Sequence, residues 1–385
     1  MPVNAVIPLS LYIHFPWCVR KCPYCDFNSH ALRQQQDDEA YVDALLADLE
    51  MHLPQIWGRP VRSVFFGGGT PSLMSGAAMA RLMSELRARL GLGPDVEITL
   101  EANPGTVDSG HFRAYAEAGI NRLSLGVQSM DNQHLQSLGR IHSVEESLAA
   151  IEQARSAGFD NINLDLMFGL PGQTLDTAME ELERALATAP SHLSYYQLTL
   201  EPNTLFHRQP PQLPQDELID DIHEAGMQML ASHGYRRYEV SAFALEGRRC
   251  RHNINYWLYG DYLGIGAGAH SKLSDATSGK IRRLVKQKHP EHYLRTAGSA
   301  DSLVQGLTVA SEELPFEFMM NALRLIDGFE TGLFTERTGL PWEQVSDIIE
   351  AASNEGLMLR GADSIQASET GLRFLNDLLT RFLPD

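Results

Sequence analysis

Three cysteines within eight residues constrain this chain more than any other feature of its sequence. Cys18, Cys22 and Cys25 follow a C-x3-C-x2-C spacing, and the sequence contains only one further cysteine, Cys250. Three thiolates at this spacing can wrap a short loop around one corner of an iron–sulfur cubane, with each sulfur on a different iron. Because such clusters are usually held by four cysteines, the local set leaves one iron open to a small molecule, much as a catalytic zinc keeps an open position.

Two other uses of clustered cysteines fit the sequence less well. A structural zinc site usually pairs one C-x2-C or C-x4-C unit with a second, distant pair, and the sequence has no second pair. A disulfide framework is typical of small secreted chains with an even set of cysteines. This chain has 385 residues, and its first residues lack the basic and apolar regions of a signal peptide. The sequence therefore predicts an iron–sulfur cluster.

The acidic composition bears on partners and location. The formal net charge is -18, and no long run of lysine or arginine occurs. A surface of this sign repels phosphate backbones, so nucleic acid is not expected as a partner. No apolar stretch approaches the roughly 18 residues of a membrane-spanning helix, and free thiolates fit a reducing compartment. We therefore expect a cytoplasmic protein without a transmembrane segment.

Short β-rich runs alternate with helix-period segments over the first half of the chain. Six strands are predicted, at Leu11–Phe15, Val61–Phe66, Glu97–Glu101, Arg122–Gln128, Asn161–Met167 and Leu193–Leu200. Helices are predicted between them, at Tyr41–Met51, Ala77–Leu90, Phe112–Ala118, Val144–Ala157 and Leu175–Thr188. Six successive βα units indicate a parallel sheet covered by helices. The predicted fold class is therefore α/β, a partial (βα)6 TIM-like barrel, with the chemistry expected at the carboxyl ends of the strands.

Three regions are predicted along the chain. Residues 1–245 form the barrel core, residues 246–310 form a segment and polar linker that pack on the barrel, and residues 311–385 form a small C-terminal α+β domain. In the last region, helices are predicted at Phe318–Leu325, Trp342–Ala352 and Thr370–Phe382, with a hairpin near Leu357–Ala367. This order is typical of a winged-helix unit. Because the segment has no basic stripe, a lid or partner-docking role is favoured over DNA binding.

Several predicted strand ends carry residues suited to a ligand. The turn 67–71, with sequence GGGTP, follows the second strand; glycines let a backbone approach a ligand closely, although a plain tight turn would also use them. Glu101 ends the third strand, where it is either a ligand-binding carboxylate or an exposed loop charge. Asp165 lies among apolar neighbours and needs a partner or a ligand, so a structural salt bridge is its alternative.

The cysteine motif, with Tyr24 as the aromatic residue before its third cysteine, resembles that of the radical SAM superfamily. The resemblance implies a [4Fe-4S] cluster ligated by Cys18, Cys22 and Cys25, whose open iron is chelated by the amino and carboxylate groups of S-adenosylmethionine (SAM). One electron would then cleave the sulfonium and release a 5′-deoxyadenosyl radical, so an electron donor is implied. The GGGTP turn resembles the superfamily element that cradles the methionyl amino end of SAM.

Five motifs together resemble one subgroup of the superfamily, which comprises oxygen-independent coproporphyrinogen III oxidase and the haem chaperone HemW. The motifs are at residues 12–18, 67–71, 100–104, 122–128 and 165–171. Carried over by motif, the residues expected to contact SAM or to line its site are Tyr12, Tyr24, Gly68, Gly69, Thr70, Glu101, Gln128, Arg140 and Asp165.

Two departures favour the chaperone over the oxidase. The oxidase pattern adds a cysteine two residues after the third, and Phe27 stands at that position. The oxidase also carries a longer N-terminal extension, whereas this sequence begins close to its first predicted strand. Radical oxidative decarboxylation of propionates therefore becomes the alternative to haem carriage.

The motif His252-Asn-Ile-Asn-Tyr-Trp257 resembles the HNxxYW motif associated with haem binding in the chaperone. Neutral imidazole is a common axial ligand of haem iron, and Tyr256 and Trp257 offer flat apolar surface with a polar edge. With Asn253 they form the predicted haem site; a structural histidine among core aromatics is the alternative. Cys250 is expected to be a buried free thiol.

The resemblance also implies partners. Haem would pass to haem-dependent respiratory proteins, and a homodimer is left open beside a monomer. His270, after a glycine-rich run that suggests close backbone packing, is expected either to line the site or simply to pack.

Overall fold

The computed structural model describes residues 7–32, 36–275 and 277–384, and strands and helices alternate through its first half. The strands are β1 (Leu9–Phe15), β2 (Trp17–Cys18), β3 (His30–Ala31), β4 (Pro60–Gly68), β5 (Gly91–Ala102), β6 (Arg122–Gln128), β7 (Ile162–Phe168), β8 (His192–Gln197), β9 (Arg236–Glu239), β10 (Ala242–Ala244), β11 (Asp261–Ile265), β12 (His270–Ser274), β13 (Ile281–Lys286), β14 (Leu303–Thr308), β15 (Phe329–Glu330), β16 (Met358–Arg360) and β17 (Ser364–Ala367).

Fifteen α-helices are found in the described residues. They are α1 (Asp38–Ile56), α2 (Gly76–Arg89), α3 (Ser109–Ala118), α4 (Asn132–Ser137), α5 (Val144–Ser156), α6 (Leu175–Ala187), α7 (Leu205–Arg208), α8 (Asp216–Ser232), α9 (Arg251–Trp257), α10 (Pro290–Thr296), α11 (Leu314–Ala322), α12 (Thr331–Thr338), α13 (Glu343–Asn354), α14 (Glu369–Arg373) and α15 (Leu375–Thr380). None of the described helices combines the length and apolar character needed to cross a lipid bilayer.

The six predicted parallel strands are confirmed as β1 and β4 to β8, which lie side by side in chain order within one large sheet. The sheet continues beyond the prediction at both edges. Antiparallel β10 and β9 follow β8, while β11 pairs in parallel with β1 and leads into antiparallel β12, β13 and β14. The partial α/β barrel is therefore confirmed, within a sheet of twelve strands.

The two faces of the barrel strands differ in character. Side chains pointing toward the helices are apolar and buried, such as Leu123 and Leu125 of β6, which alternate with Arg122, Ser124 and Gly126 on the other face. This alternation follows from the two-residue period of a strand. Because the inward face is polar, the interior of the barrel is suited to a ligand and not to a close-packed apolar core.

The predicted polar linker around residues 275–310 is wrong. This stretch contains β13, α10 and β14, and β13 is a paired strand of the main sheet. Lys286 is fully buried there because its ammonium group pairs with Asp48 and contacts His52. Buried ion pairs of this kind give a strand the composition of a loop, which explains the error.

The C-terminal region has a core of its own around Phe318, Phe334 and Ile349. Its elements follow the order α11, β15, α12, α13, β16, β17, and the three strands form a small antiparallel sheet. This order confirms a winged-helix-like unit. The predicted helix Thr370–Phe382 is two short helices, α14 and α15, which meet at Phe374. The boundaries predicted at residues 245 and 310 stay predictions.

Candidate functional site

The cysteine loop follows β1 and lies against the carboxyl ends of the barrel strands. Two backbone hydrogen bonds attach the glycine turn to it: Gly69 N–H donates to the Phe15 carbonyl (2.6 Å) and Thr70 N–H donates to the Trp17 carbonyl (2.7 Å). Cys18 is the last residue of β2. Cys22 and Cys25 lie in the turn that follows, in which Cys25 N–H donates to the Cys22 carbonyl. The two motifs are thus one structural unit.

The donor set fits a cubane better than a single ion. The three thiols are partly buried, and no group of three potential ligands in the described residues converges on one ion position. In a cubane each sulfur reaches a different iron, so convergence is not required. Burial raises the pKa of the Cys18 and Cys25 thiols. Iron binding must therefore displace protons there, because thiolates are the ligating form.

Arg140 supplies positive charge beside the cysteine loop. Its Nη1 donates to Cys22 Sγ (3.5 Å) and its Nη2 donates to the Gly126 carbonyl (2.7 Å). Burial acts to lower the pKa of Arg140, but Tyr24 and Cys22 outweigh it, so the pKa is raised. The guanidinium can therefore balance part of the negative charge of the thiolates.

Glycine is sterically required in the turn after β4. Gly68 has φ +113°, and a Cβ there would lie 2.5 Å from the His14 ring. A Cβ on Gly69 would lie 2.4 Å from the Trp17 carbonyl oxygen. The turn is thus held tightly against the cysteine loop, and its open side keeps backbone atoms accessible to a ligand.

Two half-buried carboxyl groups lie beside this turn. Glu101 Oε2 accepts from Gly68 N–H (3.2 Å), whereas Asp165 accepts from Ser124 (3.1 Å) and Asn163 (2.8 Å). Burial, reinforced by Asp165, raises the pKa of Glu101 to about 8. Burial likewise raises the pKa of Asp165. Asp165 has no salt bridge within the described chain; a cationic ligand would therefore be favoured between the two acids.

These side chains line one cavity of about 340 Å³, the outer cavity. Gln128, at its wall, has φ +70°, which is unusual for a residue other than glycine, and its Oε1 accepts from Tyr196 (2.7 Å). The structure brings nearly all the predicted cluster and SAM residues to this cavity: Cys18, Cys22, Tyr24, Cys25, Gly68, Gly69, Thr70, Glu101, Gln128, Arg140 and Asp165.

A second, larger cavity of about 780 Å³, the inner cavity, extends from the polar interior of the barrel to the cysteine loop at Phe27. Tyr12, predicted to contact SAM, borders this space instead, as do His252, Asn253 and Tyr256. The two cavities share six wall residues, Asp26, Phe27, Gly68, Glu101, Ser124 and Asp165. The cysteine loop and the HNxxYW motif, far apart in sequence, therefore face adjoining cavities.

Helix α9 holds His252 against three residues that lie side by side in neighbouring barrel strands. Ser10, Ser63 and Glu97 are register partners in β1, β4 and β5. Glu97 Oε1 accepts from the His252 N–H (3.2 Å), and His252 Nδ1 hydrogen-bonds Ser63 Oγ (3.0 Å). Burial, with a contribution from Arg122, lowers the pKa of His252 to about 3. The imidazole is therefore neutral at physiological pH.

The remaining residues of the motif point in different directions. Tyr256 stacks on Tyr262 with ring centroids 4.8 Å apart, at the wall of the inner cavity. Trp257 is absent from the lining of both cavities and lies under the Arg324 guanidinium, 4.5 Å from its ring centroid. His270 lines the inner cavity, and Cys250 is a buried free thiol, as expected.

Sequence reasoning missed the polar floor of the inner cavity. Arg122, Ser124, Asn163 and Ser194 point inward from three neighbouring strands. The polar residues at alternate positions of β6 could have revealed them, because a barrel strand with one polar face implies a polar interior.

Comparison with known proteins gives the lineage. Residues 12–185 match the Radical SAM superfamily model, and residues 309–374 match the HemN C-terminal domain. The haem chaperone HemW of Haemophilus influenzae is 47% identical over 382 residues, covering 98% of both chains. HemW of Escherichia coli is also 47% identical, covering 98% of this chain and 99% of its own.

The chain belongs to the HemW family of radical SAM proteins. HemW of Bacillus subtilis, at 32% identity over 97% of this chain and 99% of its own, shows how far the same family extends. Among solved structures, coproporphyrinogen III oxidase (HemN) of Escherichia coli superposes with a TM-score of 0.82 at 24% identity, covering 99% of this chain and 92% of that one. That match establishes a shared fold. Membership in the radical SAM superfamily implies a [4Fe-4S] cluster and SAM.

Proposed function

We propose that this HemW-family protein is a haem chaperone that holds a [4Fe-4S] cluster and SAM in the outer cavity and haem in the inner cavity. The observation that carries the proposal is that the two cavities adjoin and share wall residues. Three thiols line the outer cavity, and a neutral, anchored histidine lines the adjoining inner cavity. The similarity to proteins named haem chaperone, which covers 98% of this chain, supports the same assignment.

In the outer cavity, Cys18, Cys22 and Cys25 would ligate the cluster. When bound, the cluster supplies an electron for reduction of the SAM sulfonium, and an electron donor must reload it. The tight turn at Gly68 and Gly69 would bring backbone groups close to the methionyl end of SAM, with Thr70 beside them. Tyr24, Gln128 and Arg140 would complete the wall.

The positive charge of SAM is complementary to the carboxyl groups in the shared wall of the two cavities. SAM carries a sulfonium and an ammonium group, and Glu101 and Asp165 face the space in which it would lie. A cation beside Glu101 would favour its ionised form and lower its raised pKa. Tyr12, on the inner side of Glu101, would contact SAM at the junction of the two cavities.

In the inner cavity, His252 has the arrangement of a metal-ligating imidazole. Such histidines usually use one ring nitrogen for a hydrogen bond and the other for the metal. When Nδ1 carries the proton and donates it to Ser63, the lone pair of Nε2 is free for iron. The stacked Tyr256 and Tyr262 offer a flat wall, and about 780 Å³ lies within the usual range of ligand pockets.

Two motif residues would act in different ways. Asn253 faces the inner cavity and would contact the ligand directly. Trp257 would act through the position of α9, because its indole packs beneath Arg324 at the C-terminal region. The recipients would be haem-dependent respiratory proteins, and the site of action the cytoplasm, where thiols stay reduced.

Two incubations test the proposal against the oxidase alternative. Protein reconstituted anaerobically is mixed with haem, and separately with coproporphyrinogen, SAM and a reductant. The proposal predicts a saturable haem Soret change and no vinyl product. Turnover of coproporphyrinogen to protoporphyrinogen would reject the chaperone assignment, and an unchanged haem spectrum would reject haem binding.

A further inference from the structure

One cationic side chain in the inner cavity has no partner in the described chain. Arg122, the first residue of β6, is 2% exposed and borders the cavity. No hydrogen bond or ion pair of its guanidinium group occurs within the described residues, and its Nε is buried without a partner. A buried arginine normally forms such contacts, because removing an unpaired charge from water is costly.

The nearby acids are already engaged by other groups. Glu97 accepts from the backbone N–H groups of Arg251 (2.9 Å) and His252 (3.2 Å). Asp165 accepts from Ser124 and Asn163. Glu101 accepts from Gly68 N–H.

The neutral groups near Arg122 are Cys250, Tyr238, His192 and His252. None of these side chains supplies the planar pair of acceptors that a guanidinium fork binds best.

We infer that Arg122 is a carboxylate-binding residue of the inner cavity and that its ligand is a propionate carboxylate of the bound haem. The inference deepens the proposed function and rests on it. Arg122 and His252 border the same cavity, so one ligand carrying both a metal and carboxylates could engage the two residues. A planar carboxylate matches the guanidinium fork with two parallel hydrogen bonds. A carboxylate on the ligand would thus supply the hydrogen bonds that the guanidinium lacks, because Glu97 and Asp165 lie near Arg122 without bonding it.

The test compares ferric haem with its dimethyl ester, in which both carboxylates are blocked and the iron is unchanged. The protein is the full chain with its cluster reconstituted, and binding is followed by absorbance in the Soret region. We expect haem to bind about 10- to 100-fold more tightly than the ester, the range of a charge-assisted hydrogen bond. Arg122→Gln should weaken haem binding by the same factor and leave the ester unaffected.

Two further variants separate a binding role from a structural one. Arg122→Lys keeps the charge but loses the fork, so it should show an intermediate preference for haem over the ester. Arg337→Gln alters another buried guanidinium, in the C-terminal region and away from both cavities, and should behave as the unmodified protein. If Arg122→Gln fails to fold, the unmodified protein and Arg122→Lys still give the comparison.

Each outcome decides a separate point. If the unmodified protein binds haem and its ester equally, or if Arg122→Gln weakens both alike, the inference about Arg122 is overturned while haem binding stands. If neither ligand binds the unmodified protein, the proposed function is overturned, and the inference falls with it.

Discussion

The outer and inner cavities are built in different ways. The outer cavity depends on short, contiguous motifs: the cysteine loop around Cys22 and the glycine turn around Gly68, joined by backbone hydrogen bonds. The inner cavity combines one contiguous motif on α9, with His252, Asn253 and Tyr256 in its wall, with single side chains, such as Arg122 and Ser194, that point inward from separate strands. A site made from contiguous motifs can be recognised in sequence, whereas a site made from dispersed strand positions becomes visible only when the barrel is formed.

The prediction with the largest expected effect concerns the cluster in the outer cavity alone. Cys22→Ala should abolish the cluster, because two thiolates from this loop cannot hold a cubane that normally takes three or four. Iron and sulfide analysis after anaerobic reconstitution measures this directly, with about four irons per chain expected before the change and almost none after it.

The matched control for this variant is Cys250→Ala. Cys250 is buried and lines neither cavity. This variant should keep its full iron content. Loss of iron in both variants, or in neither, would remove the distinction between the cysteine loop and the rest of the chain.

The next effect tests the inner cavity. His252→Ala should weaken haem binding by about 100-fold or more and alter the Soret spectrum, because an axial ligand is lost. Iron of the cluster should be unaffected, since His252 does not line the outer cavity. His233→Ala alters an exposed histidine that lines neither cavity, and this variant should bind haem as the unmodified protein does. Equal losses in both histidine variants would contradict the assignment of His252.

A smaller effect concerns the shape of the glycine turn. Gly68→Ala should weaken SAM binding by about 30-fold, the equivalent of roughly 2 kcal/mol of backbone strain and collision with His14. Gly58→Ala is its control, since Gly58 also has a positive φ (+75°) but has no atom within 4 Å of the added Cβ. Calorimetric titration with SAM gives both affinities, and identical behaviour of the two variants would show that close approach at the turn is unimportant.

The smallest effect comes from the ionisation of Glu101. Its pKa of about 8, set first by burial and then by Asp165, lies above the ordinary value of 4.5. The folded chain holds a proton that the unfolded chain has released, so stability falls as the pH rises from about 4.5 to 8. Cationic SAM prefers the ionised carboxylate, and its affinity should therefore rise by about tenfold from pH 6.5 to 8.5.

Glu101→Gln should remove both pH trends. Urea unfolding without SAM at pH 5 and pH 8 measures the first trend, and SAM titration measures the second. A glutamine variant that retains the full dependence would assign the titration to another group, Asp165 being the nearest candidate.

The contrast between contiguous motifs and dispersed positions also explains which parts of the fold could be predicted from the sequence. The strand Arg122–Gln128 is predicted to the residue, because apolar and polar positions alternate clearly along it. Strand β13 is missed because its buried Lys286 has partners on α1, and no local pattern announces a long-range ion pair. The glycines of the turn are correctly singled out, since their requirement is local.

It is harder to predict where the side chain of a residue points than to predict that the residue belongs to the site. Trp257 belongs to a recognisable motif, yet its side chain packs against Arg324, because neighbouring residues on a helix point in different directions. Arg122 belongs to a recognisable strand, yet its missing partner is apparent only once the surrounding side chains are known. Local spacing predicts which segments form the site, and packing decides which atoms face the ligand.

One titration tests the two-cavity account most directly. Ferric haem is added to the anaerobic protein carrying its cluster, while the Soret change and the protein-bound cluster iron and sulfide are followed together. The expected result is saturation at about one haem per chain with the cluster retained, because the two groups would occupy adjoining but separate cavities. Haem that binds only as the cluster is lost would contradict it.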